Sequence, residues 1–273
     1  MGLFDGCLLI SDIDGTLLCD GKIPENNLSA IEEFKNEGGL FTIATGRSAS
    51  AAKESYFAAG CNAPAIVLQG GGVFDFESDA FISQRVLSDE DKQIALKVIQ
   101  NNKNVGVEVH AGKDLFVARE NAGLIFHVTY EKMPFKRAEI KDIYDIPWNK
   151  LLFTADSLED FEGLCDYFYS LNYKKCSFMH TMTYDITRAV ELYPLDVHKG
   201  HAVRFLAEKY KKTPYCIGDY YNDLELIGAS PCGAATKEAP NEVKQIAGYI
   251  TCGVREGAVA DYIGFIKTLL RGS

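Results

Sequence analysis

The sequence predicts an α/β protein: a doubly wound, mostly parallel sheet core interrupted by an inserted α+β segment. Three observations predict it. Short apolar runs without polar alternation alternate with helical patterns through the first 70 residues, as in parallel sheets covered on both faces. That rhythm stops after Gly70-Gly71-Gly72 and resumes at Lys199. The chain of 273 residues is also long for one domain, since domains run to about 150 residues.

Cys7-Leu8-Leu9-Ile10 is the first buried strand, ending in Ser11-Asp12-Ile13-Asp14-Gly15-Thr16. A helix follows from Pro24, with Leu28, Ile31 and Phe34 on one face and Gly38 as its stop. Leu40 to Ala44 is the second strand, Ser48 caps a helix running toward Gly60, and Ala65 to Leu68 is the third strand. Strand, helix, strand, helix, strand is a right-handed doubly wound beginning. Val73 to Phe81 reads as a hairpin, and Ser88-Asp89-Glu90-Asp91 opens a helix with a capping-box pattern. Strands at 105–109, 115–118, 151–154, 173–178 and 183–187, with helices near 120–130 and 157–170, give the middle more hairpin character. The α/β rhythm returns with a helix from Lys199 to Tyr210, a strand at Tyr215-Cys216-Ile217, a helix after Asn222, a strand near Cys232, and helices from Pro240 and Gly257. The expected organisation is a Rossmann-like core over 1–86 and 190–273 with an inserted α/β cap over 87–189.

Net charge is −10, from 28 basic and 38 acidic side chains. Residues 1–80 carry four basic against twelve acidic groups, and residues 189–273 carry ten of each. No basic stripe of the kind nucleic-acid backbones require is present. No apolar run reaches the ~18 residues of a membrane span, and the first residues lack the basic start of a secretory leader. The eight cysteines contain no Cys-x-x-Cys pair, which argues against zinc ribbons and redox motifs and for reduced thiols in a cytoplasmic protein. The expected partner is a small molecule, with neither nucleic acid nor membrane involved; oligomeric state is not legible.

Ligands of open α/β sheets sit outside the carboxyl ends of the strands. Three polar clusters fall at such ends: Asp12-Ile13-Asp14, Thr45-Gly46-Arg47, and Gly218-Asp219-Tyr220-Tyr221-Asn222-Asp223. Lys199 opens the helix leading to the last of them. Asp12 and Asp14, two apart, leave a strand on the same side. With Asp219 and Asp223 alongside, four carboxyl groups surround one spot and repel one another unless a cation joins them. An all-oxygen site suits a hard ion, and Mg²⁺ is favoured where phosphate oxygens and waters complete its octahedron. Thr45, Gly46 and Lys199 offer a hydroxyl, a close-approaching N–H and a positive charge, groups that bind phosphate oxygens. No Walker-type Gly-x-x-x-x-Gly-Lys occurs.

Asp-x-Asp-Gly-Thr, Thr-Gly-Arg, Lys-Gly and Gly-Asp-x-x-Asn-Asp, in this order, resemble the four motifs of the haloacid dehalogenase superfamily of phosphohydrolases. The insertion between the second and third motifs resembles its Cof-type subfamily. The likeness extends to Glu238 through Lys244 and to Glu256-Gly257-Ala258-Val259. It implies an Mg²⁺-dependent phosphatase for a small phosphorylated metabolite, a sugar phosphate or a phosphorylated cofactor. Asp12 would be the nucleophile that forms an aspartyl-phosphate, and Asp14 the acid and then the base. The metal would be held by Asp12, the Asp14 carbonyl and Asp219, with Asp223 as ligand or brace. Ile13, Thr45, Gly46, Lys199 and Asn222 would hold the phosphoryl group. The alternatives are a phosphomutase or phosphotransferase on the same core, and a non-catalytic metal- or phosphate-binding regulator. The chain departs from the family at Gly70-Gly71, where Asn-Gly is usual, and at Lys237-Glu238-Ala239, where Gly-Asn-Ala is usual.

Two further features read as ordinary surface. His198 and His201, three apart, flank a helix start. Lys132, Lys136 and Arg137 lie among Phe126, Tyr130, Met133 and Phe135, where a solvated face is favoured over a lid for an anion.

Overall fold

The computed structural model describes residues 2–130, 133–173, 176–183 and 187–272, with residues 176–183 and 187 described by their backbone alone. In chain order the first elements are β1 (Cys7–Ser11), α1 (Glu25–Asn36), β2 (Leu40–Ile43), α2 (Ala49–Ala58), β3 (Ala65–Val67), β4 (Gly72–Asp75) and β5 (Ala80–Gln84). The middle of the chain forms α3 (Asp89–Asn101), β6 (Gly106–Ala111), β7 (Asp114–Arg119), α4 (Ala122–Tyr130), β8 (Lys136–Arg137), α5 (Ile140–Ile143), β9 (Trp148–Ala155), α6 (Leu158–Ser170), β10 (Cys176–Thr183) and β11 (Thr187–Pro194). The last stretch forms α7 (Lys199–Tyr210), β12 (Thr213–Gly218), α8 (Leu224–Gly228), β13 (Ala234–Ala235), α9 (Asn241–Ile246), β14 (Tyr249–Ile250) and α10 (Ala258–Arg271).

Two compact units result. One comprises 1–47, 52–83 and 198–273; the other comprises 48–51 and 84–197. The first unit is built on a parallel sheet of order β14-β13-β12-β1-β2. A parallel bridge from Ala44 to Ile66 carries the ladder on toward β3, which continues into the β3-β4-β5 hairpin sheet. Every residue of β1 is buried, as a central strand covered on both faces requires. The chain leaves β1 for β2 on one side and receives β12 on the other. The end of β1 is therefore the switch point at which crossovers diverge and a crevice opens. Leu8, Ile10, Ala44, Ile66, Val203, Leu206 and Cys216 pack together beneath it.

The second unit is a sheet of order β10-β11-β9-β6-β7-β8, antiparallel except where β7 meets β8. Its core is separate, gathered around Trp148, Val107, Val109, Phe153, Leu164 and Val190. Trp148 is fully buried and its indole N–H donates to the Ile143 carbonyl at 2.8 Å, which satisfies the one polar atom that burial exposes to cost. The predicted capping box is present: the Asp91 N–H donates to Ser88 Oγ at 3.2 Å, and the Ser88 N–H donates to Asp91 Oδ2 at 2.8 Å.

Two elements differ from the sequence reading. Leu68 leaves the third strand, because the backbone turns there to a φ of 54°. The strands expected at 173–178 and 183–187 lie several residues later, as β10 and β11. Val190 and Leu192 enter the Trp148 core on alternate positions and pin β11 through Pro194. Lys132 lies outside the described residues. Lys136 and Arg137 are exposed and pair with Asp114 (2.6 Å) and Glu120 respectively, in line with a solvated face. His198 is the N-cap of α7, its Nδ1 accepting from the His201 N–H at 3.2 Å.

Candidate active site

The first loop is built by β1. The Asp12 N–H donates to the Ile217 carbonyl at 3.0 Å, extending the ladder one residue past the strand, and Ser11 Oγ donates to the Asp12 carbonyl at 2.7 Å. The chain then closes on itself, with the N–H groups of Leu17 and Leu18 both donating to the Ile13 carbonyl, at 3.0 and 2.8 Å. Gly15 sits in that turn at φ 81°, and a Cβ there would stand 2.4 Å from Asp219 Oδ2. Only glycine permits both the conformation and the approach. Thr16 Oγ1 donates to Asp219 Oδ1 at 3.1 Å, so the first and last motifs interlock.

Asp12, Asp219 and Asp223 each present a carboxylate oxygen within 4.8 Å of the others. Lys199, fully buried, reaches into the group: its Nζ donates to Asp12 Oδ1 at 2.5 Å and to Asp223 Oδ1 at 2.7 Å. The second oxygen of Asp223 accepts the N–H groups of Asp219 (3.0 Å) and Tyr220 (3.3 Å). Both of its oxygens are therefore engaged within the protein, and it ties the last loop to the lysine.

One ammonium does not balance two buried carboxylates and a third that is half-buried beside them. Burial raises the Asp12 carboxyl well above its ordinary range; Lys199 opposes this, while Asp223 and Asp219 add to it. Burial likewise pushes Asp219 up to about 7, with Asp223 adding to the effect and the Thr16 hydrogen bond working against it. Burial works to lower the Lys199 ammonium, but the Asp12 and Asp223 charges prevail and hold it above its usual value. The remaining negative charge and the all-oxygen donor set fit a hard divalent cation.

The second loop lies across β2 and β3. The Thr45 N–H donates to the Ile66 carbonyl at 2.9 Å, and Thr45 Oγ1 accepts the Arg47 N–H at 3.1 Å. Gln69 folds over this loop: its N–H donates to the Thr45 carbonyl at 3.0 Å, and a Cβ on Gly46 would meet its Oε1 at 3.2 Å. Arg47 turns to Asp14 in a two-point pair, Nε to Oδ2 at 3.0 Å and Nη2 to Oδ1 at 2.6 Å. The Asp14 carboxyl, unlike the other three, is exposed.

The structure thus brings Asp12, Asp219, Asp223 and Lys199 into one group. It keeps the Asp14 side chain apart on Arg47. Thr45 and Gly46 stand in the loop beside them, and Asn222 is half-buried in the turn after β12. Arg47 received no role from the sequence, although its place two residues beyond Thr45 was the available signal. Gln69 carried no signal at all.

The sequence pattern of the haloacid dehalogenase-like hydrolases matches residues 9–263. The chain belongs to the haloacid dehalogenase-like hydrolases. Among curated relatives of this family, the 5-amino-6-(5-phospho-D-ribitylamino)uracil phosphatase YitU of Bacillus subtilis is 24% identical over 267 residues, covering 94% of this chain and 96% of that protein. A haloacid dehalogenase-like hydrolase from Bacteroides thetaiotaomicron superposes with a TM-score of 0.82 at 22% identity, over 95% of this chain and 98% of its own. The sugar phosphatase BT4131 superposes with a TM-score of 0.74 at 17% identity, over 95% and 98%. The haloacid dehalogenase-like fold accounts for the parallel sheet with its separate inserted sheet, and the enzyme class is that of a phosphatase. Among the described residues, no helix is long and apolar enough to cross a membrane.

Proposed function

We propose that the chain is an Mg²⁺-dependent phosphatase that hydrolyses a small phosphorylated sugar, sugar alcohol or sugar-bearing cofactor through an aspartyl-phosphate. The observation that carries this reading is the buried Asp12 carboxylate held by Lys199 inside a three-carboxylate group at the end of β1. Mg²⁺ would be held by Asp12, the Asp14 carbonyl and Asp219, with Asp223 bracing the loop; when bound it withdraws charge from the phosphoryl oxygens. Thr45, Gly46, Lys199, Asn222 and the Ile13 N–H hold the phosphoryl group in line with Asp12. The carboxylate forms a bond to phosphorus as the bond to the leaving oxygen breaks, and Asp14 gives that oxygen its proton. Asp14 then takes a proton from water, whose oxygen attacks the same phosphorus and returns Asp12 as a free carboxylate.

General acid–base help contributes only ~10²–10⁴ of an acceleration that reaches ~10²¹ for monoesters, so positioning and charge supply most of it. The ribityl phosphate in the name of one relative and the sugar phosphatase among the structural neighbours support this substrate class. The second unit, with a core of its own, would select the leaving group as a cap. Free cysteines fit a reducing, cytoplasmic setting.

Phosphate release from a panel of sugar and cofactor phosphates, with Mg²⁺ and with EDTA, is the test. Asp12→Asn should abolish turnover and EDTA should stop it. Activity persisting in Asp12→Asn would remove the covalent route, and phosphate returned to substrate rather than to water would make the enzyme a mutase.

A further inference from the structure

Beside the loop that carries Asp219 lies a cavity of about 290 Å³, whose lining includes Cys19, Lys237, Glu238, Arg255 and Glu256. All of these residues belong to the first unit, and the walls are three loops at the carboxyl ends of strands. The first is the hairpin that follows Asp14, where Cys19 and Lys22 each donate an N–H to the other's carbonyl, at 2.9 and 3.0 Å. The second follows β13, where the Thr236 N–H donates at 3.1 Å to the carbonyl of Gly218, the residue before Asp219. The third follows β14, where the Thr251 N–H donates to the Ala235 carbonyl at 3.0 Å. Thr16, in the turn that leads to the hairpin, holds Asp219 directly. Two of the three walls therefore also bear on the Asp219 loop.

The loops are fastened to one another. Glu238 Oε2 accepts the Val254 N–H at 3.3 Å, and Glu256 Oε2 accepts the Gly253 N–H at 3.0 Å. A Cβ on Gly253 would stand 2.7 Å from Glu238 Oε1, which shows how closely the second and third loops approach. Arg255 crosses to the hairpin and pairs with Asp20 at 2.6 Å. The Lys237 ammonium has neither an ion pair nor a hydrogen bond among the described residues.

This lining offers donors on Lys237 and Arg255 and acceptors on the oxygens that Glu238 and Glu256 keep clear of the backbone. An anion would meet two carboxylates there, and a cation two basic groups. An apolar molecule would take charged groups out of water without replacing their hydrogen bonds. A hydroxyl both donates and accepts, so adjacent hydroxyls of a polyol match both kinds of group together. A volume near 300 Å³ stands at the small end of ligand sites and suits a single sugar or sugar alcohol.

We propose that this cavity is the subsite for the hydroxyl-bearing part of the substrate, with Lys237 and Glu238 as specificity-determining residues. The inference rests on the phosphatase reading of the neighbouring Asp12–Asp219 group and deepens it by naming where the sugar is held. Gly-Asn, the pair usual at these two positions, presents neither the cation nor the carboxylate, so the preference these side chains set belongs to this chain.

Cys19 lines the same cavity, and its alkylation by iodoacetamide, followed by mass spectrometry, reports occupancy without turnover. The probes are ribitol, sorbitol and inorganic phosphate, each with MgCl₂. One of the two polyols is expected to slow Cys19 alkylation about threefold or more while Cys232 and Cys252 react as before. Lys237→Met, which leaves the Glu238 brace in place, should remove that protection. It should also raise KM for the phosphate ester of the protecting polyol about tenfold, the effect of one hydrogen bond from a charged group, with kcat and the turnover of p-nitrophenyl phosphate kept. A lysine needed only for folding would instead lower the melting temperature and both activities together, and that result would overturn the proposal. So would protection that persists undiminished in Lys237→Met, or slowing by inorganic phosphate in place of the polyols, which would make the cavity an anion site. Protection in a protein that hydrolyses nothing on the panel would keep the polyol site and sink the phosphatase reading; turnover on the panel with no protection by either polyol would do the reverse.

Discussion

At the scale of single residues, the carboxyl groups behave as members of one cluster. Burial and then Asp223 hold Asp219 near 7, above the value of about 4 it has in an unfolded chain. Between those values the folded protein keeps a proton that the unfolded chain has released. The stability this group contributes is therefore full below about pH 4 and is lost as pH rises toward about 7. Asp12, raised in the same direction, adds to the trend. The melting temperature of EDTA-treated protein should fall across this range, and if Mg²⁺ binds as proposed the increase on adding it should be larger at about pH 8 than at about pH 5, because the cation would take the place of the proton. An increase independent of pH would place the metal elsewhere. Arg47 invites a second measurement. Its two-point grip sets the direction of the Asp14 carboxyl, and a planar fork does this better than a flexible ammonium. Arg47→Ala should slow turnover of alkyl phosphates by about tenfold, a fraction of what a positioned acid supplies. It should slow p-nitrophenyl phosphate much less, since that leaving group needs no proton; equal losses on both would assign Arg47 another task.

At the scale of elements, the β1 turn and the β12 loop are one device, because Gly15 and Thr16 bear directly on Asp219. Gly15→Ala would both oppose φ 81° and push Asp219 away. Mg²⁺ affinity should fall by about tenfold or more, in the range seen when groups that orient metal ligands are altered, as read by calorimetric titration with MgCl₂. An unchanged affinity would show that Asp219 is not a ligand. Much of this arrangement was legible in the sequence. Apolar runs without alternation marked β1, β2 and β12, and polar clusters at their carboxyl ends marked Asp12, Thr45 and Asp219, because parallel sheets put such ends together. What was not legible depended on contacts between segments distant in sequence. Nothing local shows that Asp14 would turn to Arg47, that Asp223 would spend both oxygens inside the protein, or that Gln69 would fold over Gly46. The β10–β11 pair lies later than expected for the same reason: Val190 and Leu192 pack in the Trp148 cluster.

At the scale of the whole molecule, each of the two units packs hydrophobic residues of its own. Trp148 anchors the second. Trp148→Ala should destabilise that unit by about 3–5 kcal/mol, and amide hydrogen exchange should quicken across β6, β9 and β11 while β1 and β12 keep their protection. Exchange rising equally in all five strands would mean that the two units unfold together. Separate cores also divide what mutation can reach. Changes within the Trp148 sheet are absorbed by a cluster that shares no residue with the one beneath Asp12, so that sheet can drift in sequence while Asp12, Lys199 and their spacing stay as they were.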